Sequence, residues 1–446
     1  MQKTILFINF LWLNMAFGQT VSKPLSSVFH ANERHNGVYA GGNYNSFGNL
    51  KWKFRSGGKI FSSLAIGDGI AWFGSEDHSL YAVDIKTGKQ LWKFTTGGAV
   101  DSSPAVYGTS ICFGSFDGFY YMLNAKTGKL IWKFKTGGEK RVGAKGLWTM
   151  KPASLYMDDL YDFFLSSPVF IKNNNSLTIC FGSSDGNLYA LNAANGTLKW
   201  SFKTEGLIHT SPAFYNGKLY FGSWDTYEYA VDAGTGKLVW KFKTGDQPVI
   251  HLMEGIQSSA ACDNDLVYFG ARDGYFYALN ANSGKLAWKY SADGSWILTT
   301  PAIKDGIVYT GTSDTYLLLA LDAKTGKPKF KFKANGYLYS SPAIAGNTVL
   351  FGDFTGKFFA LDLKSAKLSG EFTTGGRNLN AGKLLKKDTL DYNYLSKGKD
   401  NQLYISSVTI MNQLYTLGPI VSSPVVSRDV VYFGSADGYL YAVNLK

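Results

Sequence analysis

The amino-acid sequence predicts an all-β protein, an eight-bladed β-propeller of four-stranded antiparallel blades whose last blade is closed by an N-terminal strand. Three observations predict this fold: a composition rich in Gly and aromatic residues, a repeat of about 40 residues, and a strand motif near the N-terminus that has no repeat of its own. The 446 residues include 50 Gly and are 16% aromatic but only 17% charged, which favours many short strands joined by tight turns.

The repeat reads Phe-Gly-Ser-x-Asp-Gly-x-Leu-Tyr-Ala-Leu-Asp/Asn-Ala-x-Thr-Gly-Lys-x-x-Trp-Lys-Phe, and each copy predicts one blade. Most copies begin about 40 residues apart, which is the spacing of four-stranded propeller blades. Eight copies are present, and they begin at Phe73, Phe113, Phe181, Phe221, Phe269, Thr310, Phe351 and Phe433.

Four strands are predicted within one copy, at residues 102–106, 111–114, 120–124 and 129–134. Asp117-Gly118 supplies a turn between them, because Gly and Asp tolerate the backbone angles of tight turns. A proline is expected within the first strand of six blades, and since Pro cannot donate to a central ladder, this strand is predicted to be the edge that lines the channel. The fourth strand is flanked by Lys and is predicted to be the solvent-facing edge. The prolines are Pro104, Pro168, Pro212, Pro301, Pro342 and Pro424.

The closure of the ring is predicted from two incomplete copies. The eighth copy reaches Lys446 where its outer strand is expected to begin, and a matching strand, Leu50-Lys51-Trp52-Lys53-Phe54, stands alone near the N-terminus. We therefore expect the N-terminal strand to complete the last blade.

The N-terminal region predicts export. Residues 1–18 have the pattern of a secretory signal peptide, with Lys3 followed by an apolar run over residues 5–17. This run is too short to span a membrane comfortably, so no transmembrane segment is expected and the mature protein is predicted to be periplasmic or secreted. Residues 19–48 are then a lead-in segment, and residues 49–446 form the propeller.

Charge and cysteine content narrow the function classes. The formal net charge is +12, but the lysines recur at repeat positions rather than in one patch, so no nucleic-acid partner is expected.

Cys112, Cys180 and Cys262 form no Cys-x-x-Cys motif, and we expect the three cysteines to be buried apolar side chains. His209 and His251 have no evident third ligand, so no zinc site is predicted. A closed ring satisfies its own strand edges, and a monomer is expected.

The segment Ala82-Val83-Asp84-Ile85-Lys86-Thr87-Gly88-Lys89-Gln90-Leu91-Trp92 resembles the AxDxxTGKxxW signature of the pyrroloquinoline quinone (PQQ) repeat family, and the resemblance covers nearly all of the propeller. It implies that the Trp of each copy docks neighbouring blades together. The seventh copy has Gly370 at this position and Ala366 in place of the turn glycine, so it is expected to be the degenerate blade. The docking residues implied by the resemblance are Trp52, Trp92, Trp132, Trp200, Trp240, Trp288 and Phe330.

The resemblance implies the fold more strongly than the function, because the family includes quinoprotein alcohol dehydrogenases and also BamB-type scaffolds of outer-membrane protein assembly, which carry no cofactor. The leading hypothesis is an exported, non-catalytic binding or scaffold propeller that presents one loop face and the channel mouth to a protein or an extracellular ligand. The alternative is a PQQ-dependent oxidoreductase that acts on an alcohol or a sugar and binds PQQ with Ca²⁺.

Interruptions of the repeat are where function is expected. Two large insertions, residues 139–165 and 375–418, and a short one, residues 246–256, all precede a first strand and therefore lie on one face of the ring. The first combines cationic, acidic and aromatic residues and is either a ligand rim or a solvated loop over the channel mouth. In the second, residues 402–408 and 411–417 alternate enough to predict a hairpin.

The quinoprotein hypothesis requires basic residues for the quinone carboxylates, aromatic walls, oxygen ligands for Ca²⁺ and a catalytic Asp base. Asp158 is the candidate base. The methanol-dehydrogenase type also uses a ring formed by adjacent cysteines, which this chain lacks, and this favours the binding hypothesis. The candidate cofactor-binding residues are Arg141, Trp148, Trp224, Glu254, Trp296 and Arg377.

Overall fold

The computed structural model describes residues 26–44, 46–173, 176–245 and 254–446. It contains eight four-stranded antiparallel blades, numbered 1 to 8 in chain order. Their innermost strands follow one another in contact around a central axis, from blade 2 through blade 8 to blade 1. The predicted all-β propeller is therefore confirmed. The signal peptide predicted at residues 1–18 lies outside the described residues.

The strands of the eight blades fall into four concentric sets. The innermost strands are Ala65–Gly67, Ala105–Tyr107, Val169–Asn173, Ala213–Tyr215, Ala261–Asp263, Ala302–Lys304, Ala343–Ala345 and Val425–Ser427. The second strands are Ile70–Ser75, Ser110–Ser115, Ser176–Gly182, Lys218–Gly222, Leu266–Gly270, Ile307–Gly311, Thr348–Gly352 and Val430–Gly434. The third strands are Ser79–Asp84, Phe119–Asn124, Asn187–Asn192, Tyr227–Asp232, Tyr275–Asn280, Leu317–Asp322, Lys357–Asp362 and Tyr439–Leu445. The outer strands are Gln90–Thr95, Leu130–Lys135, Leu198–Lys203, Leu238–Lys243, Leu286–Ser291, Pro328–Lys333, Leu368–Thr373 and, for blade 8, Phe47–Arg55.

The N-terminal strand closes the ring as predicted. Phe47–Arg55 pairs antiparallel with Tyr439–Leu445 of blade 8, with Trp52 opposite Ala442. This register equals that of Trp92 opposite Ala82 within blade 1. The two ends of the chain thus share one sheet, and backbone hydrogen bonds hold the first and last segments of the propeller together.

The repeated Trp of one blade contacts the turn of the next. Trp132 Nε1 donates to the carbonyl of Ala193 at 3.0 Å, and a Cβ placed on Gly196 would lie 2.8 Å from the Trp132 ring. Because Gly196 also has a φ of +72°, only glycine suits this turn. The same donation to a carbonyl of the next blade is made by Trp52, Trp92, Trp240 and Trp288.

Blades 6 and 7 have no Trp at the docking position, and other aromatic rings make the contact with the next blade. Phe330 of blade 6 packs 6.2 Å from Tyr309, within the apolar cluster shared with blade 7. At Gly370 of blade 7 the missing ring is replaced from elsewhere in the chain, since a Cβ placed there would lie 3.1 Å from the Phe47 side chain. The strand that closes blade 8 therefore also fills the gap in the degenerate blade.

The Asp of the repeated Ser-x-Asp turn joins neighbouring blades, and we call its pair of hydrogen bonds the structural clasp. Asp117 accepts from the Tyr121 hydroxyl at 2.7 Å within its own blade and from the Gly97 N–H of the preceding blade at 2.8 Å. This carboxylate bonds both blades. The Tyr donation recurs between Tyr81 and Asp77, Tyr189 and Asp185, Tyr229 and Asp225, Tyr277 and Asp273, and Tyr441 and Asp437.

Hydroxyl residues just before the innermost strands form a belt around the axis. Ser103 N donates to Ser167 Oγ at 3.0 Å, and the pattern passes from blade to blade. The prolines follow this belt and lie one residue before the innermost strands rather than within them as predicted, at a position that needs no ladder donor. The further donations run from Ser63 to Ser103, Ser167 to Ser211, Ser211 to Ser259, Thr300 to Ser341 and Ser423 to Ser63.

The lead-in segment closes one mouth of the channel, which the sequence did not predict. Ser26–Ser27 pairs with the innermost strand of blade 2, and Val38–Tyr39 pairs with that of blade 7. Both contacts reach the ends of these strands, opposite the face that carries the insertions. Between them the carbonyls of Glu33, Arg34, Asn36 and Gly37 accept in turn from Phe214, Cys262, Ile303 and Ile344 of blades 4 to 7.

The second insertion is helical. It contains α1 (Gly375–Leu384), α2 (Tyr392–Ser396) and α3 (Tyr404–Tyr415), with a two-stranded ladder of Leu385–Lys386 and Thr389–Leu390. The predicted hairpin over residues 402–417 is wrong. The first insertion holds a ladder of Gly143–Lys145 with Tyr156–Asp158 and a 3₁₀ turn at Leu147–Thr149.

The helical period explains the error in α3. One face of α3 lines a single cavity, with Ser407, Ile410, Met411 and Leu414 spaced three and four residues apart. The positions that line the cavity therefore follow a 3.6-residue period and not an alternation.

Candidate ligand-binding face

The first insertion crosses the propeller axis and covers the channel mouth on the insertion face. Phe163 is buried, and its ring centroid lies 5.3 Å from that of Phe61 in blade 1 and 5.5 Å from that of Tyr339 in blade 7. On the other side, the Tyr161 carbonyl accepts from Gln257 Nε2 of blade 5 at 2.9 Å. The insertion is thus part of the core, and the mouth that the sequence analysis expected to be presented is covered.

Arg141 fastens this insertion to blades 1 and 2. Its Nη2 lies 2.7 Å from Glu76 Oε1 and 3.2 Å from Asp101 Oδ2, and its Nη1 donates to the Asp162 carbonyl. Burial and the neighbouring Glu76 raise the pKa of Asp101 to about 8, so Glu76 carries the charge that balances Arg141 at neutral pH. The guanidinium proposed to hold a cofactor therefore has internal partners.

Asp162, His209 and Ser184 form a second anchor, connecting the insertion to blades 3 and 4. His209 Nδ1 lies 3.0 Å from Asp162 Oδ1, and Nε2 lies 2.8 Å from Ser184 Oγ. Burial lowers the pKa of His209, but the Asp162 carboxylate outweighs burial and holds this pKa above 6.5. These are the residue types of a hydrolytic triad, yet only 4% of Ser184 is exposed. The three hydrogen-bonded side chains therefore serve as an anchor for the insertion.

Arg272 fills the space between two of the candidate aromatic walls. Its guanidinium carbon lies 4.6 Å from the ring centroid of Trp224 and 4.3 Å from that of Trp296. It forms an ion pair with Asp159 of the first insertion, and both side chains are fully buried. Gln257 Oε1 accepts from Nη2 at 2.6 Å. A cation stacked between two rings and paired with a carboxylate is a strongly held arrangement.

The two insertions join into one lid. Lys151 of the first insertion forms a parallel bridge with Leu403 of the second. Next to it, Met150 Sδ accepts from Ser407 Oγ of α3 at 3.5 Å. The Tyr404 hydroxyl donates to the Asp158 carbonyl at 3.1 Å. Contacts between segments so distant in sequence hold the lid in one position over blades 5 to 8.

A cavity of about 460 Å³ lies between this lid and the ring. Its aromatic wall comes from blades 6 and 7 and from the first insertion, and its aliphatic wall comes mainly from α3. Its size suits a small organic ligand. Burial raises the pKa values of Tyr161, Tyr337 and Tyr392, so their hydroxyls stay neutral. The lining residues include Trp148, Leu160, Tyr161, Trp296, Asp314, Tyr337, Tyr339, Tyr392, Leu395, Ile410, Met411 and Leu414.

The predicted site residues divide among these places. Trp148 and Trp296 line the cavity, with ring centroids 6.1 Å apart. Arg377 lies in α1, where it donates to the Thr355 carbonyl at 2.8 Å and pairs with Asp388, so it anchors the second insertion to blade 7.

Asp158 and Glu254, like Arg141, Trp224 and Arg377, lie outside the cavity lining. Asp158 is exposed, and burial of its surroundings raises its pKa. Glu254 is partly buried beside Gly255, which packs on Trp224. His251 lies outside the described residues, and no group of three His, Cys, Asp or Glu suited to a metal occurs in the part of the chain that the structure describes.

The sequence analysis missed Arg272, Gln257, Asp314 and the tyrosine walls. A signal for Arg272 exists in the repeat. The residue at the centre of the Ser-x-Asp turn varies from blade to blade, although blades 5 to 7 also replace the flanking Ser or Asp. Its N–H donates to the loop leading into the blade on the insertion face, to a carbonyl in seven blades and to the Glu139 carboxylate in blade 3. These residues are Glu76, Phe116, Ser184, Trp224, Arg272, Ser313, Phe354 and Ala436, and four of them, Glu76, Ser184, Trp224 and Arg272, make the contacts described above.

Fold and site together define a closed eight-bladed propeller whose insertions form a lid over an aromatic cavity. The chain belongs to the PQQ-type propeller family whose model is described as outer membrane protein assembly factor BamB, which matches residues 42–150, 145–263 and 229–446. The family resemblance drawn from the repeat is thereby confirmed.

Solved structures share the fold at low sequence identity. BamB from Moraxella catarrhalis is 15% identical, with a TM-score of 0.61 over 89% of this chain and 98% of that one. A europium-containing methanol dehydrogenase is 12% identical, with a TM-score of 0.67 over 93% of this chain and 97% of that one. Among curated proteins, the beta-alanine-activating enzyme of Danio rerio is 42% identical over 55 residues, which are 12% of this chain and 5% of that protein. The chain thus spans a small fraction of this curated relative. A BamB and a methanol dehydrogenase both share its fold.

Proposed function

We propose that this protein is an exported, non-catalytic binding propeller that presents its insertion face to a protein or an extracellular ligand. The observation that carries the proposal is the position of Arg272. The two indoles that the quinoprotein hypothesis assigned to the quinone, Trp224 and Trp296, hold this guanidinium instead, and Asp159 neutralises it there.

The other candidate quinone ligands are also engaged. Arg141 of the first insertion is paired with Glu76, and Arg377 is paired with Asp388 in another part of the face. Admitting a quinone carboxylate at either guanidinium would require displacing the carboxylate that it already binds, so neither arginine is free to receive one. The residues present therefore do not fit PQQ, and we derive no chemistry through it.

An exposed apolar rim supports a binding role for the lid. Leu379 is 82% exposed and Ile405 is 75% exposed, and both belong to the second insertion. Leu403 is exposed next to its bridge with Lys151 of the first insertion. Large apolar side chains held in water on a rigid surface are typical of protein-binding sites.

The cofactor test is reconstitution of the purified protein with PQQ and Ca²⁺. We expect no bound quinone absorbance after desalting and no dye-linked oxidation of alcohols or sugars. Stoichiometric quinone uptake at micromolar concentration, accompanied by alcohol or sugar oxidation, would instead establish the quinoprotein alternative.

The Arg272 arrangement is tested by a pair of variants. Arg272→Met leaves Asp159 buried without its partner, and we expect a loss of about 3–5 kcal/mol in the free energy of unfolding. Arg272→Met combined with Asp159→Asn removes both charges and is expected to recover part of that loss. Urea denaturation of the four proteins of this cycle measures the coupling, and additive effects of the two substitutions would contradict the assigned ion pair.

Export is expected from residues 1–18. Among the described residues, no helix is long and apolar enough to cross a membrane. Expression with the native N-terminus in a bacterial host is expected to yield mature protein beginning at Gln19, as measured by intact mass. Full-length protein retained in the cytoplasm would contradict export.

A further inference from the structure

Asp314 in blade 6 is released from the structural clasp that holds the matching Asp in six other blades. The loop of blade 6 is one residue longer than its counterparts, and Leu319 stands where those blades have the clasping Tyr, as its pairing with Thr310 shows. Among the described residues, the side-chain hydrogen bond to Asp314 comes from its neighbour Ser313 at 2.7 Å. Its carboxylate is exposed and lines the 460 Å³ cavity.

Aromatic rings surround the space beside this carboxylate. Tyr161 lies 6.0 Å from Trp296 and 6.1 Å from both Tyr337 and Tyr339, measured between ring centroids. Trp148 completes the wall beside Trp296. Aromatic faces carry negative potential, and a group of them next to a carboxylate attracts an organic cation while excluding small hydrated ions.

Neighbouring positive charge does not oppose such a ligand. Arg272 stacks on Trp296, but its charge is balanced by Asp159 in a fully buried pair. Among the ion pairs of the described residues none includes Asp314, and the nearby Lys333 ammonium donates to the Thr315 carbonyl at 2.8 Å instead, although the net charge of the protein is +12. An anionic group left unpaired in a cationic protein is a strong candidate for ligand contact.

The opposite wall fixes the rest of the ligand. Leu395, Ile410, Met411 and Leu414 offer aliphatic surface from α2 and α3. An apolar substituent on the cation would bury against this wall and gain hydrophobic free energy.

We propose that this cavity binds a small organic ammonium ion with apolar N-alkyl groups, with the positive charge placed between Asp314 and the aromatic wall. The inference rests on the proposed binding role of the insertion face and names the ligand chemistry of the cavity within it. The ammonium nitrogen contacts the Trp and Tyr faces, and the alkyl groups contact α3.

The test compares choline with its neutral isostere 3,3-dimethyl-1-butanol, which has the same shape without the charge. Titration calorimetry, together with the fluorescence of the cavity tryptophans, is expected to show saturable choline binding at least tenfold tighter than binding of the neutral alcohol. Asp314→Asn is expected to weaken choline binding at least tenfold and leave the alcohol unchanged. Asp117→Asn is the matched control, because it removes the same repeat carboxylate far from the cavity, and choline binding is expected to stay as in the wild type.

Equal binding of choline and the alcohol, or equal choline binding by wild type and Asp314→Asn, would overturn the proposal in favour of a merely apolar cavity. Absence of saturable binding of both choline and benzyltrimethylammonium at 10 mM would overturn it as well, provided that circular dichroism shows folded protein. The proposed function is tested separately, by quinone uptake on the same sample. If the protein binds neither ammonium nor quinone, the ammonium inference is rejected and the proposed function stands.

Discussion

Replacing Glu228 with Leu is expected to stabilise the protein. Glu228 lies in the third strand of blade 4, opposite Gly222, and is fully buried between blades 4 and 5. Both of its carboxyl oxygens lack a hydrogen-bond partner among the described residues. The other seven blades have an apolar or aromatic side chain here: Leu80, Tyr120, Leu188, Phe276, Leu318, Phe358 and Leu440.

The magnitude follows from protonation. Burial raises the pKa of Glu228 well above its ordinary value of 4.5, so the folded protein keeps this carboxyl protonated while the unfolded chain ionises. A raised acid pKa therefore leaves stability unaffected below pH 4.5 and reduces it by about 1.4 kcal/mol for each pH unit above, until the folded carboxyl also ionises. This penalty grows with pH from 4.5 up to the raised folded pKa, and the two unpaired oxygens add about 1–3 kcal/mol at any pH.

The assay is urea denaturation of wild type, Glu228→Leu and Glu228→Gln at several pH values between 4.5 and 8. The Leu variant is expected to be more stable than wild type at pH 7 by at least the contribution of the unpaired oxygens, about 1–3 kcal/mol, and to lose the part of the pH dependence due to this group. The Gln variant is expected to lose the same pH dependence but gain less, because its amide stays unpaired. Identical pH slopes in all three proteins, or a Leu variant less stable than wild type, would refute the reasoning.

Two further predictions concern the blade contacts and the lid. Gly196→Ala is expected to lower the free energy of unfolding by clearly more than Gly217→Ala, measured by urea denaturation, because both glycines have positive φ but only Gly196 contacts a ring, that of Trp132; equal losses would contradict the docking role. His209→Ala removes the cation paired with the buried Asp162, which keeps only its hydrogen bond from the Val142 N–H, and is expected to speed tryptic cleavage of the first insertion. In the wild type the ion pair stabilises the closed lid below pH 6.5 and is lost as pH rises through the raised pKa of His209, so cleavage should accelerate above that pH, and a rate independent of pH would contradict this.

The fold was predictable because one pattern is repeated eight times. The turn glycines, the Trp of each outer strand and the alternation of its exposed residues are local features, and each recurs often enough to be recognised without knowing the contacts. The closing strand was recognisable for the same reason, since Trp52 and Phe54 match the outer strands of other blades.

The site was predictable only in part. The insertions identified the correct face, and Trp148 and Trp296 do line its cavity. Arg141 and Arg377 were selected by residue type alone, and their partners Glu76 and Asp388 cannot be inferred from spacing. The α3 error arose because a short amphipathic segment was tested for alternation and not for a helical period.

The sequence by itself determined the number of blades, their strand order and the closure of the ring, because these depend on repeated local patterns that each blade obeys independently. Only the tertiary structure decided that the lead-in segment closes one mouth, that the first insertion covers the other, and that Arg272 stands between Trp224 and Trp296. These features join residues from distant parts of the chain, and each occurs once. A unique contact between distant segments leaves no periodic trace in the sequence, since its partners are brought together only by the closed ring.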